Sequence, residues 1–161
     1  MANAHIIHLA THGLLEYGDP TQTGNRDVPG AIALAPDSES DNTDDTSNGL
    51  LTSAEILSMD LQADLVVLSA CDTGRGDITG DGVIGLSRSL VTAGVPNVIV
   101  SLWAVDDIAT ADLMREFYRL WQAPDNPMDK AQALRQAMLT TMKQHPDPRL
   151  WSAFTLIGNA N

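Results

Sequence analysis

The stretch DLVVLSA at residues 64–70 leaves the chain few architectures to choose from. Successive side chains of a strand point to opposite faces, so Leu65, Val66, Val67 and Leu68 would make both faces apolar. Such a strand belongs inside a sheet that is covered on each side. Four more runs share its β-branched or uniformly apolar character: HIIHLAT at 5–11, AIALA at 31–35, NVIVSLW at 97–103 and AFTLIG at 153–158. Amphipathic stretches separate them, a pattern that points to parallel strands joined by crossover helices. The expected class is α/β, with the middle runs of the five as central strands.

Helix signals fall between these runs. TSAE at 52–55 is a capping-box pattern, in which Thr52 and Glu55 satisfy each other's backbone donors, and it opens a short helix through about Met59. IGLSRSLVTAG at 84–94 is a second helix, ended by Gly94 in the left-handed conformation, with Pro96 preventing continuation. Asp106 and Asp107 are candidate caps for IATADLMREFYRLW, where Ile108, Ala111, Met114, Phe117, Tyr118 and Trp121 recur at helical spacing and read as packing residues. Asn126-Pro127 breaks that run before a last helix in DKAQALRQAMLTTMKQ.

A length of 161 residues with 43% hydrophobic content suits one domain with a real core. The net charge of −12 repels a phosphate backbone and an anionic leaflet alike, so neither nucleic acid nor membrane is an expected partner. No apolar run is long enough to span a bilayer. A single cysteine, Cys71, suits a reducing compartment, and a cytoplasmic location is expected.

Two acidic segments imitate cation sites. Residues 36–48, PDSESDNTDDTSN, carry five carboxylates and no large apolar side chain, which reads as a solvated loop. DITGDGVIG at 77–85 starts like a calcium loop, with Asp77, Thr79, Asp81 and Gly82 in place. Its twelfth position is Arg88, where the loop requires a bidentate carboxylate. No metal site is expected, and 77–85 reads as a flexible segment.

IIHLATHG at residues 6–13 poses the functional question. In a helix, His8 and His12 would share a face and resemble a metal pair. In a short β-branched run that ends in glycine, alternation applies instead: His5 and His8 point to opposite faces and read as ordinary strand histidines. His12 lies past the last apolar residue, at the carboxyl end of a strand, where open α/β sheets place ligands. Cys71 follows the apolar strand 64–70 and occupies the same edge. Neighbouring strands lie about 4.8 Å apart, so a Cys–His pair is within geometric reach, and the competing reading of Cys71 is a buried small hydrophobe.

These motifs resemble the CHAT domains, caspase-like cysteine peptidases often carried behind tetratricopeptide repeats and common in cyanobacteria. The resemblance rests on HLATHG at 8–13, GLLTSAEIL at 49–57, ADLVVLSACDTGRGDITGDGVIGLSRSLVTAGVPNVIVSLWAVDD at 63–107, LMREFY at 113–118 and LWSAFTLIG at 150–158. The order of His12 and Cys71, 59 positions apart, is also similar to that of caspases. It implies a caspase-like three-layer fold with a mostly parallel sheet, a His12–Cys71 dyad that hydrolyses peptide bonds, no cofactor, and a protein or peptide substrate. It also implies an associated tetratricopeptide-repeat or sensor region. The backbone N–H groups of Gly13 and Cys71 would then form the oxyanion hole.

Specificity does not transfer with the resemblance. Animal caspases hold an aspartate side chain with a glutamine two residues before the nucleophile and an arginine after a Ser-Trp pair; these positions read Ser69 and Ala104 here. Metacaspases place an aspartate where Ser69 stands. Ser69, Trp103, Asp106 and Asp107 lie near the carboxyl edge and are the candidate substrate-binding residues, although Asp106 and Asp107 compete for a capping role. A second function class is an interaction module that retains the dyad without activity. In caspase-like sheets the histidine follows the third strand, whereas His12 follows the first, so the resemblance implies an amino-terminally truncated domain. An open edge at strand 5–11 would favour self-association.

Overall fold

A computed structural model describes residues 4–14, 17, 30–35, 49–69 and 80–159, with the side chains of 80–83 left aside. Cys71, the acidic segment 36–48 and residues 77–79 lie outside the described residues. The strands are β1 (Ile6–Leu9), β2 (Gly13–Leu14), β3 (Ala31–Ala33), β4 (Leu50–Thr52), β5 (Leu65–Leu68), β6 (Asn97–Ser101) and β7 (Phe154–Gly158). The helices are α1 (Ser53–Leu57), α2 (Gly80–Thr92), α3 (Asp107–Trp121) and α4 (Lys130–Gln144), and a 3-10 turn spans Pro148–Leu150.

The main sheet has the order β1-β5-β6-β7, with β1, β5 and β6 parallel. The apolar strands β5 and β6 are central and buried along their whole length, as their two apolar faces require. Alternation divides their side chains between two cores. Val66, Leu68, Val98 and Val100 pack with Ile56 of α1 and Leu86 and Leu90 of α2. Leu65, Val67 and Ile99 pack with Leu113, Met114 and Phe117 of α3 and Ala133, Leu134 and Ala137 of α4. Helices therefore cover both faces of a mostly parallel sheet, and the class is α/β.

The expectation of parallel pairing fails at two strands. β7 runs antiparallel to β6. One crossover helix returns a chain parallel, whereas the two successive helices α3 and α4 carry it across and back, so β7 enters from the opposite end. AIALA lies outside the main sheet altogether: β3 is the middle of a small antiparallel sheet of order β2-β3-β4. β2 and β4 have two and three residues, too short for hydrophobic alternation to mark them.

Local chemistry fixes the helix ends. Thr52 and Glu55 form the reciprocal capping box of α1. At the end of α2, the Val95 N–H donates to the Leu90 carbonyl and the Gly94 N–H to that of Val91, a Schellman pairing with Gly94 at φ +110°. α2 begins at Gly80, so residues 80–85 are helical rather than part of a flexible segment. Leu86 and Leu90, buried against the sheet, anchor the helix, and the missing partners of a first turn limit what Gly80 and Gly82 forfeit there. On α3 the buried positions are Ala109, Leu113, Met114 and Phe117. Ile108 is 70% exposed and Ala111 is also exposed, so these two are not packing residues: the apolar face of the first turn is one position further round, through Ala109.

Candidate functional site

An open cleft of about 780 Å³ lies at the carboxyl end of β1 and β5, against the first two turns of α3. Its walls include His8, Thr11 and His12 from the β1 end, Ser69 from the β5 end, and Asp106, Asp107, Thr110 and Met114 from α3. This is the position that a parallel sheet offers to a ligand, beyond its strand ends and beside a helix N-terminus.

His12 is exposed, and its backbone is pinned to β3. The Ala33 N–H donates to the His12 carbonyl at 2.8 Å, and the Thr11 hydroxyl donates to the Ala33 carbonyl at 2.7 Å. Ladder alternation then orients Gly13. Leu34 donates to the Gly49 carbonyl and Ser53 to the Gly30 carbonyl, so Leu34 and the Gly30 carbonyl face β4, whereas the Gly30 N–H donates to the Tyr17 carbonyl. Ile32, two residues before Leu34, shares its parity and stands opposite Gly13. Gly13 therefore occupies a position without ladder bonds, and its N–H is directed away from β3.

His8 is not an ordinary strand histidine. It is paired with Val67, whose side chain belongs to the α3 and α4 face, and alternation sends the His8 ring to that same face while Ile7 enters the opposite core. Its Nε2 lies 3.0 Å from the Ser69 hydroxyl and its Nδ1 lies 3.1 Å from the Tyr118 hydroxyl. Burial by the surrounding groups holds the His8 pKa below its ordinary 6.5, although the ring still meets solvent. Burial likewise pushes the Tyr118 phenol up to about 12. His5, on the other side of the strand, is exposed and lies 3.1 Å from the Asp64 carboxylate.

Among the sequence candidates, His12, Ser69, Asp106 and Asp107 meet around the cleft. Gly13 follows His12 directly, and Cys71 lies outside the described residues. Trp103 is not among the cleft residues: its indole donates to the Arg149 carbonyl at 2.9 Å and its ring packs against the core under α3 and α4. Asp106 is the N-cap of α3, with its carboxylate accepting from the N–H groups of Ile108 and Ala109 at 3.0 and 2.9 Å. Sequence reasoning missed the part played by His8 and Tyr118. The odd spacing from His5 gave the correct face for His8, but no sequence signal joins it to a tyrosine 110 residues away. The Thr110 hydroxyl, buried at the cleft wall, has no hydrogen-bond partner among the described residues.

Asp106→Ala removes a side-chain cap and should lower stability by about 1 kcal/mol, with Asp106→Asn close to wild type. Urea unfolding reads this as a shifted midpoint at constant slope, and an unshifted midpoint would reject the cap. Stability should also depend on pH through His8. The unfolded chain protonates His8 near 6.5 while the folded ring stays neutral to lower pH, so the native state binds fewer protons in that window. Its contribution is present above about pH 6.5 and is lost as pH falls through the lowered folded value. The melting temperature of wild type should therefore fall more steeply below that pH than that of His8→Gln; parallel curves would show that His8 carries no linked proton.

Among the described residues no group of three or more His, Cys, Asp or Glu side chains is placed to hold a metal ion, and no helix is long and apolar enough to cross a membrane. The polar groups around the cleft are instead imidazoles, hydroxyls and carboxylates at strand and helix ends, a set suited to hydrogen bonding and proton transfer.

Comparison with known proteins agrees with this architecture. The chain is 35% identical over 112 residues to tetratricopeptide repeat protein 28 of Mus musculus and 36% identical over the same length to that of Homo sapiens. Each match covers 68% of this chain and 4% of the relative, so the chain corresponds to a small portion of those proteins. The model of the CHAT domain matches residues 1–159, from before β1 through the end of β7, and the chain belongs to the CHAT domain family.

Proposed function

We propose that the chain is a caspase-like cysteine endopeptidase acting through a His12–Cys71 dyad, governed by an associated tetratricopeptide-repeat or sensor region. The observation that carries this reading is the meeting of His12 and Ser69 in one cleft at adjacent strand ends. Ser69 precedes Cys71 by two residues, a reach of about 7 Å at most.

In this reading the His12 imidazole raises the thiolate fraction of Cys71 and returns the proton to the leaving amine. The thiolate attacks the scissile carbonyl carbon, a C–S bond forms, the C–N bond breaks, and water then hydrolyses the thioester. The Gly13 N–H, directed away from β3, would meet the developing oxyanion together with the Cys71 N–H. Ser69, Asp106 and Asp107 are the substrate-facing groups of the cleft, and a cytoplasmic setting keeps the thiol reduced.

A thiol-reactive peptide probe tests the dyad. Selective labelling of Cys71 that disappears in His12→Ala supports the enzyme. Labelling that is slow and indifferent to His12→Ala would instead make the chain an interaction module within a repeat-bearing protein.

A further inference from the structure

Tyr118, His8 and Ser69 form a continuous hydrogen-bonded series from the core of α3 to the cleft. Tyr118 is held by its neighbours, with its ring 5.1 Å from that of Phe117 and 6.3 Å from that of Trp121. Its phenol stays protonated and can donate to the His8 Nδ1 at 3.1 Å, the direction that the proposal below adopts. A neutral imidazole that accepts at Nδ1 must carry its own proton on Nε2. In that tautomer Nε2–H donates to the Ser69 oxygen at 3.0 Å. The Ser69 N–H is already engaged by the Leu9 carbonyl at 3.2 Å, which fixes the residue's backbone. The serine oxygen is then an acceptor toward His8, and the hydroxyl proton remains for a partner in the cleft that Ser69 lines. Ser69 is only 8% exposed, so that partner has to come to the wall rather than the side chain to solvent.

We propose that His8 is a positioning residue of the cleft: clamped by the Tyr118 hydroxyl, its ring presents the Ser69 hydroxyl as a hydrogen-bond donor to a peptide side chain that carries a carbonyl acceptor. The proposal rests on the peptidase reading and deepens it, naming the chemistry of the side chain that the cleft selects. A buried donor left unpaired is penalised more than a made hydrogen bond is rewarded, so discrimination falls on the apolar isostere.

The test uses the full chain and two peptides that differ only at the residue before the scissile bond, asparagine in one and the isosteric leucine in the other. Wild type should prefer asparagine in kcat/KM, and Tyr118→Phe and Ser69→Ala should each reduce that preference about fivefold, the order of one hydrogen bond. His8→Gln, which keeps an acceptor and a donor, should retain part of it. A purely structural role would slow both peptides alike and leave the ratio unmoved, which overturns the proposal. The imidazole ¹⁵N shifts of His8 give a readout independent of cleavage: the Nε2–H tautomer is expected, and the Nδ1–H tautomer would reverse the series and reject the positioning role. A wild-type chain that cleaves neither peptide yet labels Cys71 in a His12-dependent way overturns the asparagine preference, whereas one that neither cleaves nor labels removes the peptidase reading and the proposal with it.

Discussion

Cys71→Ala is expected to reduce peptide cleavage to background while changing stability by about 1 kcal/mol or less. The first half follows from the chemistry. In the proposed mechanism no C–S bond forms without the thiolate, and the remaining donors of the cleft can only bind. His12→Ala should have a comparable effect, and the double variant should be scarcely worse than either, because the two groups of the proposed dyad would act on one step and so would not contribute independently. The second half follows from the order of the sequence, in which Cys71 comes after the apolar run of β5 has ended at Leu68. Cleavage assays paired with urea denaturation separate the two. Unchanged cleavage in Cys71→Ala ends the peptidase assignment, and a loss of several kcal/mol identifies the thiol as a core group.

Phe117→Ala should be the most damaging of the packing substitutions, at about 4 kcal/mol. Phe117 is completely buried, stacked 5.7 Å from Trp121 and edge-on to Tyr118. Its removal leaves a void between α3, α4 and the sheet that rigid neighbours refill only in part. Against a net stability of about 5–15 kcal/mol for an ordinary domain, such a loss is a large fraction of the whole. The chain should unfold at much lower urea with the same slope. A change below about 1 kcal/mol would mean that the void collapses, and would contradict the packing described for this face.

Elements with strong periodicity are legible in the amino-acid order alone. The runs 64–70 and 97–103 hold the central strands β5 and β6, because apolar character on both faces requires cover on each side. The Thr52–Glu55 box and Gly94 mark helix ends by hydrogen-bond needs that are local to the sequence. The small sheet is hidden because β2 and β4 acquire strand character only through pairing with β3. The reversal at β7 is readable in principle, since two helices separate it from β6. At the cleft, the strand-end argument brings out His12 and Ser69, and the Asp cap preference gives Asp106 its structural role. The expectation for His8 fails because its partner on α3 is a tertiary neighbour, and alternation states which face a side chain takes without stating what covers that face.

α3 touches the cleft with its first turns and the core with its later ones, so one rigid rod carries Asp106, Thr110 and Tyr118 together. The side chains that set how closely it seats are small: Ala109 on the rod itself, and Ala133 and Ala137 on α4, all fully enclosed. Enlarging any of them would tilt the whole rod and shift the cap, the wall and the histidine clamp in concert. A lineage can thus retune what this cleft accepts by trading methyl groups in the interior, and comparison of cleft-lining residues alone would register no change.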